Sequence, residues 1–429
     1  MKRHYWIIMV FGLIVAAVVP GYLAAWPGTR VCGIDLGGLS ITQAVSALEE
    51  ALSWDTRQIE IVGADGDLEQ FPLKSTGIAP DIEGTVMAVR RPLWLILRKE
   101  YPLLVCTGKQ QKLAWFNELA GRFNQAPMNA SFKVTEDDRV EVIGGSFGIL
   151  VNFDELEASL YDAGKWFDII ARIELPIVYI KPEVTTEELE SLLPLEPISS
   201  YSTYYRDKND RAHNIALASS ALNELTINPG QVLSFNDTTG PRSKERGYRK
   251  AGVFIGTSVV DDYGGGVCQV STTLYVALLK AGFEIVERYN HGMPVSYVPL
   301  GMDATVAFDI LDLKMKNSTE VPCILKLQAQ DGCLTVKVFG KKDPDMVIEI
   351  EPKVVKEIPA QPIDPGDGQT GDGLGGDGLG GTPKLRSGFM VETSRKYIRR
   401  GTVVKVEKLN SSWYPPEKPK SVSTAKGTS

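Results

Sequence analysis

Metal-binding and cross-linking residues are scarce in this chain. Its 429 residues include five cysteines, Cys32, Cys106, Cys268, Cys323 and Cys333, and three histidines, His4, His213 and His291. None falls into a CxxC or HExxH spacing, so no metal is expected to organise the fold. An odd number of cysteines leaves at least one free thiol. Cys323 and Cys333 are the only close pair, and Asp331-Gly332 between them is a two-residue hairpin signal. That register puts Cys333 opposite Gln330 and Cys323 opposite Gly340, so the two are not cross-strand partners and no disulfide is expected. Positive charge is also short: the formal net charge is −7. With no basic stripe carrying interleaved aromatics, a nucleic-acid partner is excluded. The rest is ordinary, 43% hydrophobic and 23% charged, with length for two or three domains, each with its own core.

What the chain does have begins at residue 5. Lys2 and Arg3 precede a run from Tyr5 to Trp26 that contains no charge. At about 22 residues it is long enough to span a bilayer, and the leading positive charges keep the N-terminus in the cytoplasm. An uncleaved single-pass anchor is the reading preferred; a cleaved signal peptide is the alternative, although Tyr22-Leu23-Ala24 makes a poor cleavage site. Both send the bulk of the chain across the membrane. Helix and strand patterns then alternate irregularly, which predicts an α+β architecture. Ser40-Ile41-Thr42-Gln43 has capping-box spacing before an apolar helical face. A helix is predicted over Val86–Leu97, restarted at Pro92, another over Leu113–Phe123, and a third over Phe153–Trp166. Strands are predicted over Ile173–Ile180, Ala251–Val260 and Ala304–Leu313. Residues 351–386 are rich in Pro, Gly and Asp and read as a flexible linker; the run is too short for a calcium-binding repeat. Phe389 to Val406 alternates as a hairpin through Arg399-Arg400-Gly401.

One stretch organises the rest. Gly264-Gly265-Gly266 turns the chain into Val267-Cys268-Gln269-Val270-Ser271-Thr272-Thr273-Leu274-Tyr275. Apolar residues at Val270, Leu274, Ala277, Leu278 and Ala281 keep helical spacing, and Gly282 sits where a helix-ending glycine belongs. Cys268 then lies in the first turn, where the helix dipole favours the reactive thiolate. It is off the apolar stripe, and Ser271, Thr272 and Tyr275 share its face. Two readings stand: a nucleophile, or a small residue packed into a tight glycine corner. His291 follows at a strand end beside Gly292, a positionable site. Cysteine plus histidine is the minimum set for thiol catalysis. Asp303 either orients that imidazole or caps a turn. A structural metal held by Cys268 and His291 alone would lack ligands.

Ser202-Thr203-Tyr204-Tyr205, the run from Pro229 to Asn236, Gly240-Pro241-Arg242, Gly264 to Tyr275, and Glu287-Arg288 with His291 through Ala304 together resemble the VanW family, over about residues 200–339. Residues 30–192 resemble the peptidoglycan-binding domain that often precedes it, through Gly33 to Leu39 and Ala126 to Ala130, and the C-terminal hairpin resembles a β tail related to G5 modules. The chain departs from the family pattern around Asn290-His291-Gly292, with His291 itself retained, and at Met302, where the family often has a basic residue. The resemblance implies a cell-wall role and a cysteine L,D-transpeptidase activity, which places Cys268 as nucleophile, His291 as base and acid, and Asp303 as its orienting group. Arg242, Gly265, Gly266, Gln269, Ser271, Thr272 and Tyr297 form the expected substrate-binding set, with backbone amides of Gly266 to Gln269 as oxyanion donors. No cofactor is implied. The partners would be peptidoglycan stem peptides and glycan, and the membrane through one helix. A carboxypeptidase, or a non-catalytic wall-tethering protein, would fit the same sequence. The expected organisation is an anchor over 1–29, the wall-binding α+β domain over 30–192, the catalytic α+β domain over 193–345, a linker over 346–386, a small β hairpin over 387–418, and a disordered end over 419–429.

Overall fold

A computed structural model describes residues 25, 27–90, 100–161, 170–255, 258–360 and 385–417. The fold is mixed α+β with several small sheets. Among the described residues no helix is long and apolar enough to cross a membrane; the anchor expected over 1–29 lies almost wholly outside them, as do the second half of the Val86–Leu97 helix and residues 361–384 of the linker expected over 346–386. Two compact units emerge. One holds residues up to 129 together with 145–185, and the other holds 130–144 together with 186–429. The hairpin of Ser131–Val134 and Val140–Ile143 thus belongs with the later residues, where Lys326, buried in the sheet beneath it, donates to Asp138 at 2.8 Å and to the Thr135 carbonyl at 2.7 Å.

In the first unit, the helix Ile41–Leu52 starts on a reciprocal capping box between Ser40 and Gln43. It buries Ala44, Leu48 and Leu52 against Val86 and Val89. The second core of this unit joins Ile59 and Ile61 of a strand to Trp115 and Leu119 of the helix Lys109–Phe123 and to Leu156 and Leu160 of the helix Phe153–Leu160. The described part of the helix expected over Val86–Leu97 begins earlier and runs Ile82–Ala88, started by Asp81, whose side chain accepts from the Gly84 amide. Pro176, which has no amide to donate, divides the predicted Ile173–Ile180 strand into Ile170–Glu174 and Ile177–Ile180.

The second unit is built on a four-stranded antiparallel sheet in the order Glu196–Tyr204, Cys333–Gly340, Cys323–Gln330, Thr226–Ile227. Asp331 and Gly332, both at positive φ, make its hairpin turn, and Gln330 pairs with Cys333. The helices Asp210–Leu222 and Val267–Lys280 pack on this sheet through Ile215, Ala218, Leu222, Val270, Leu274 and Leu278. The second helix ends as its glycine suggested: Gly282 has φ 90°, its amide donates to the Leu279 carbonyl, and the Phe283 amide reaches back to Leu278.

Three expectations are corrected here. Ala251–Val260 is not one strand but lies in a hairpin, Lys250–Ile255 with Ser258–Tyr263. Ala304–Leu313 forms no continuous strand; it is held by two isolated bridges, Tyr289 to Thr305 and Ala307 to Leu311. The stretch from 346, read as linker, opens with a long strand, Met346–Ile358, and the C-terminal module is therefore a three-stranded sheet with Gly388–Arg399 and Thr402–Tyr414, not a hairpin. Its alternation over Met346-Val347-Ile348-Glu349-Ile350-Glu351 is plain; the Pro and Gly that follow masked it.

Candidate active site

The glycine turn does two separate jobs. Gly264 has φ 85°, and a Cβ there would stand 2.7 Å from Cγ of Arg242, so glycine lets the arginine stem pass. Gly266, at φ 109°, is the helix N-cap, a backbone conformation other residues rarely adopt. Asn214, fully buried in the neighbouring helix, clamps the turn: its amide nitrogen donates to the Arg249 and Gly265 carbonyls at 2.9 and 3.0 Å, and its oxygen accepts from the Arg249 amide at 2.8 Å.

Cys268 enters the first helical turn with its thiol directed at the Val306 carbonyl, 3.4 Å away, and at Thr305 Oγ1, 3.6 Å. The bridge between Tyr289 and Thr305 runs the 288–291 segment beside 303–307, which carries His291 to the same point. His291 is 2% exposed and lines the same cavity as Cys268, close enough for each group to shift the other's charge. Its Nδ1 lies 2.7 Å from Asp303 Oδ2, which also accepts from the His291 amide at 2.6 Å. Asp303 thus holds both the ring and the backbone amide of His291. Its other oxygen, Oδ1, accepts from Arg288 Nη2 at 3.3 Å and from the Tyr414 hydroxyl.

The charges follow from this geometry. Burial works to raise the Cys268 pKa, but the hydrogen bond and charge of His291 outweigh it and bring the thiol down to about 7. Burial works to lower His291, but its bonds to Asp303 and to Cys268 raise it to about 9. Asp303 is held below the usual carboxylate range: burial opposes this, and the bond to His291 and the charge of Arg288 prevail. Between about pH 7 and about pH 9 the pair is therefore thiolate and imidazolium.

Both open into a cavity of about 730 Å³ lined also by Pro241, Arg242, Tyr263, Phe308 and Ile310. Arg242 spends Nη1 on the Gly240 carbonyl at 2.8 Å. Its guanidinium lies between the rings of Phe235 and Phe308, 5.5 and 5.8 Å from their centroids. Nη2 is buried and has no hydrogen-bond partner among the described residues.

The other expected substrate contacts lie elsewhere. Ser271 and Thr272 are fully buried and donate to the Ala304 carbonyl at 2.7 and 3.1 Å. Gln269 accepts from Arg211 and donates to Thr203 and to the Tyr204 carbonyl. Tyr297 packs into the core beside Thr272. Gly265 and Gly266 are buried against Ala251 and Arg211. None of these six lines the cavity. The polar face of the helix is not an open face; the segment leading to Ala304 covers it. Three groups went unseen in the sequence: Thr305 and the Val306 carbonyl at the sulfur, Asn214 under the turn, and Tyr414 behind Asp303. Among the described residues no group of three His, Cys, Asp or Glu side chains is placed to hold a metal ion.

At this helix N-terminus, beside a glycine turn and an arginine, a half-buried thiol stands next to a buried imidazole that is held by a buried carboxylate. Residues 210–339 match the family model described as VanW like protein, and over that stretch the chain carries a VanW domain. It is 32% identical over 192 residues to the uncharacterized protein YoaR of Bacillus subtilis, covering 44% of this chain and 63% of that one. It is 28% identical over 148 residues to the vancomycin B-type resistance protein VanW of Enterococcus faecalis, covering 33% of this chain and 54% of that one. The chain thus spans less than two thirds of the length of these curated relatives. No solved structure matches.

Proposed function

We propose that this protein is a cysteine L,D-transpeptidase acting on peptidoglycan stem peptides, held on the outer side of the cell membrane by its N-terminal apolar run. The observation that supports this most is the Cys268–His291–Asp303 relay facing a cavity that also presents the unpartnered Nη2 of Arg242. In this reading the Cys268 thiolate attacks the carbonyl of the third residue of a tetrapeptide stem. The imidazolium of His291 hands its proton to the departing amine of D-alanine, and a thioester remains on Cys268. An amine of a neighbouring stem then attacks the thioester, His291 takes its proton, and the thiolate is released with a 3→3 cross-link formed. The amides of Val267 and Gln269 are bonded to the Gly264 and Gly266 carbonyls, so the Cys268 amide is the donor best disposed toward the tetrahedral oxygen. Arg242 binds a carboxylate of the stem.

The test is the intact mass of the purified protein after incubation with muropeptide tetrapeptides, beside Cys268→Ala. Loss of D-alanine with a dimeric product and a stem adduct on Cys268 alone is the expected result. D-Alanine loss without dimer means that water takes the thioester and the enzyme is a carboxypeptidase. No turnover by either protein, with binding to sacculi retained, would make this a wall-tethering protein.

A further inference from the structure

The last strand of the chain alternates. Ser412 and Tyr414 are buried, and Trp413 between them is 45% exposed. Residues two apart share a face of a strand, and this face meets the relay. The Tyr414 hydroxyl donates to Asp303 Oδ1 and accepts from the Gly301 amide at 2.8 Å. Ser412 Oγ accepts from Arg288 Nη1 at 2.8 Å, while Arg288 Nε holds the Asp303 carbonyl at 2.7 Å. The Trp413 carbonyl accepts from the Asn290 side chain at 2.8 Å. Gly301 makes the approach possible: at φ 84°, a Cβ there would stand 2.7 Å from Cγ1 of Val391. On the neighbouring strand, Arg395 is buried and donates to the Leu279 and Phe283 carbonyls at 3.2 and 2.7 Å, at the C-terminal end of the nucleophile helix. The C-terminal sheet therefore grips both halves of the relay, the helix that bears Cys268 and the carboxylate behind His291.

We propose that Tyr414 is a positioning residue of the Cys268 site: its hydroxyl fixes Asp303 and, through it, sets how firmly His291 holds its proton. The proposal rests on the reading of Cys268 and His291 as the reacting pair. A carboxylate shared among four donors has less charge left for any one of them. Taking the phenolic donor away returns charge to Asp303, which then grips the imidazolium harder and makes it a poorer acid for the leaving amine. The phenol remains a donor throughout, since burial and the adjoining carboxylate both raise its pKa. The other charged and titratable groups about the imidazole are Cys268, Arg288 with Tyr275 beneath it, Tyr297, and Arg242 across the cavity.

The experiment is an NMR titration of His291 in the full chain and in Tyr414→Phe. With three histidines in the sequence, its ring signal is assigned by His291→Gln. The expected result is a His291 midpoint higher by about half a pH unit in Tyr414→Phe, roughly threefold in the dissociation constant. Where stem peptide is turned over, kcat falls and KM holds. An unchanged midpoint in a folded Tyr414→Phe protein overturns the proposal. If that variant does not fold, Tyr414→3-fluorotyrosine serves in its place: it keeps the ring and the Gly301 contact but makes the hydroxyl a stronger donor to Asp303, so the midpoint should fall, and an unchanged midpoint there is equally fatal. A shifted midpoint with no turnover by either protein leaves the positioning role standing and removes the transpeptidase reading.

Discussion

Cys268 and His291 each make the other's charged form stable, and this fixes the pH behaviour of the site. The thiolate is lost as pH falls through about 7, and the imidazolium is lost as pH rises through about 9. Alkylation needs the thiolate alone, so iodoacetamide labelling of Cys268 should rise through pH 7 and stay high above 9. Turnover needs both ions and should be bell-shaped between the same limits. Rate profiles of labelling and of D-alanine release check this, and a labelling midpoint near that of an ordinary thiol would contradict it. Arg242 gives a second prediction. Arg242→Gln removes a charged donor from a half-buried position between two aromatic rings, which should raise KM for stem peptides about 10–100-fold with little change in kcat, the worth of one charge-assisted hydrogen bond. An unchanged KM would remove Arg242 from substrate binding. At this scale the place of Cys268 in the first turn of its helix was readable because glycine, cysteine and helical spacing are local signals. Ser271 and Thr272 misled because the segment that covers them, near Ala304, is distant in sequence, and nothing in a helical repeat says what will lie over its polar face.

The glycine turn and its helix behave as one element. Gly265 has ordinary φ, so its requirement is space: a Cβ would lie 2.5 Å from the Ala251 carbonyl carbon and 2.6 Å from its oxygen, both backbone atoms. Gly265→Ala must push the hairpin that begins at Lys250 away from the turn, at a cost of about 1–3 kcal/mol. The variant should lower the urea midpoint at which Cys268 becomes fully labelled, and it should reduce the labelling rate of the native protein, because the N-cap moves with the turn. An unaltered urea midpoint would mean that the hairpin yields freely. The helix, its glycine end, the 323–340 hairpin and the Ser40 capping box were all legible, each resting on contacts within a few residues. The hairpin at 250–263 and the irregular segment from Ala304 were not. Their side chains alternate as a strand would, but what lies beside them is decided by pairing partners the pattern does not name.

At the scale of the molecule, the C-terminal sheet belongs with the Cys268 site. The sequence presents it as an appendage because residues 361–384, rich in glycine and aspartate, stand between two of its strands. Yet Met346–Ile358 pairs with Gly388–Arg399 along its length, and Val391, Thr393, Arg395, Ser412 and Tyr414 are buried. A strand lost from such a sheet would leave Asp303, Arg288 and the Gly301 amide short of partners in a buried setting, which costs far more than exposed contacts of the same number. The bonds named here are made by residues of the strands themselves. A protease site placed within residues 361–384 and cut after purification should therefore leave two fragments that co-elute on gel filtration, with the pH profile of Cys268 labelling intact. A chain ended at residue 360 should lose that profile, with the thiol midpoint drifting upward as Asp303 ceases to hold His291 in place. Fragments that separate under native conditions, or a shortened chain that keeps the wild-type profile, would show that the relay stands without the sheet and that Tyr414 merely rests against it.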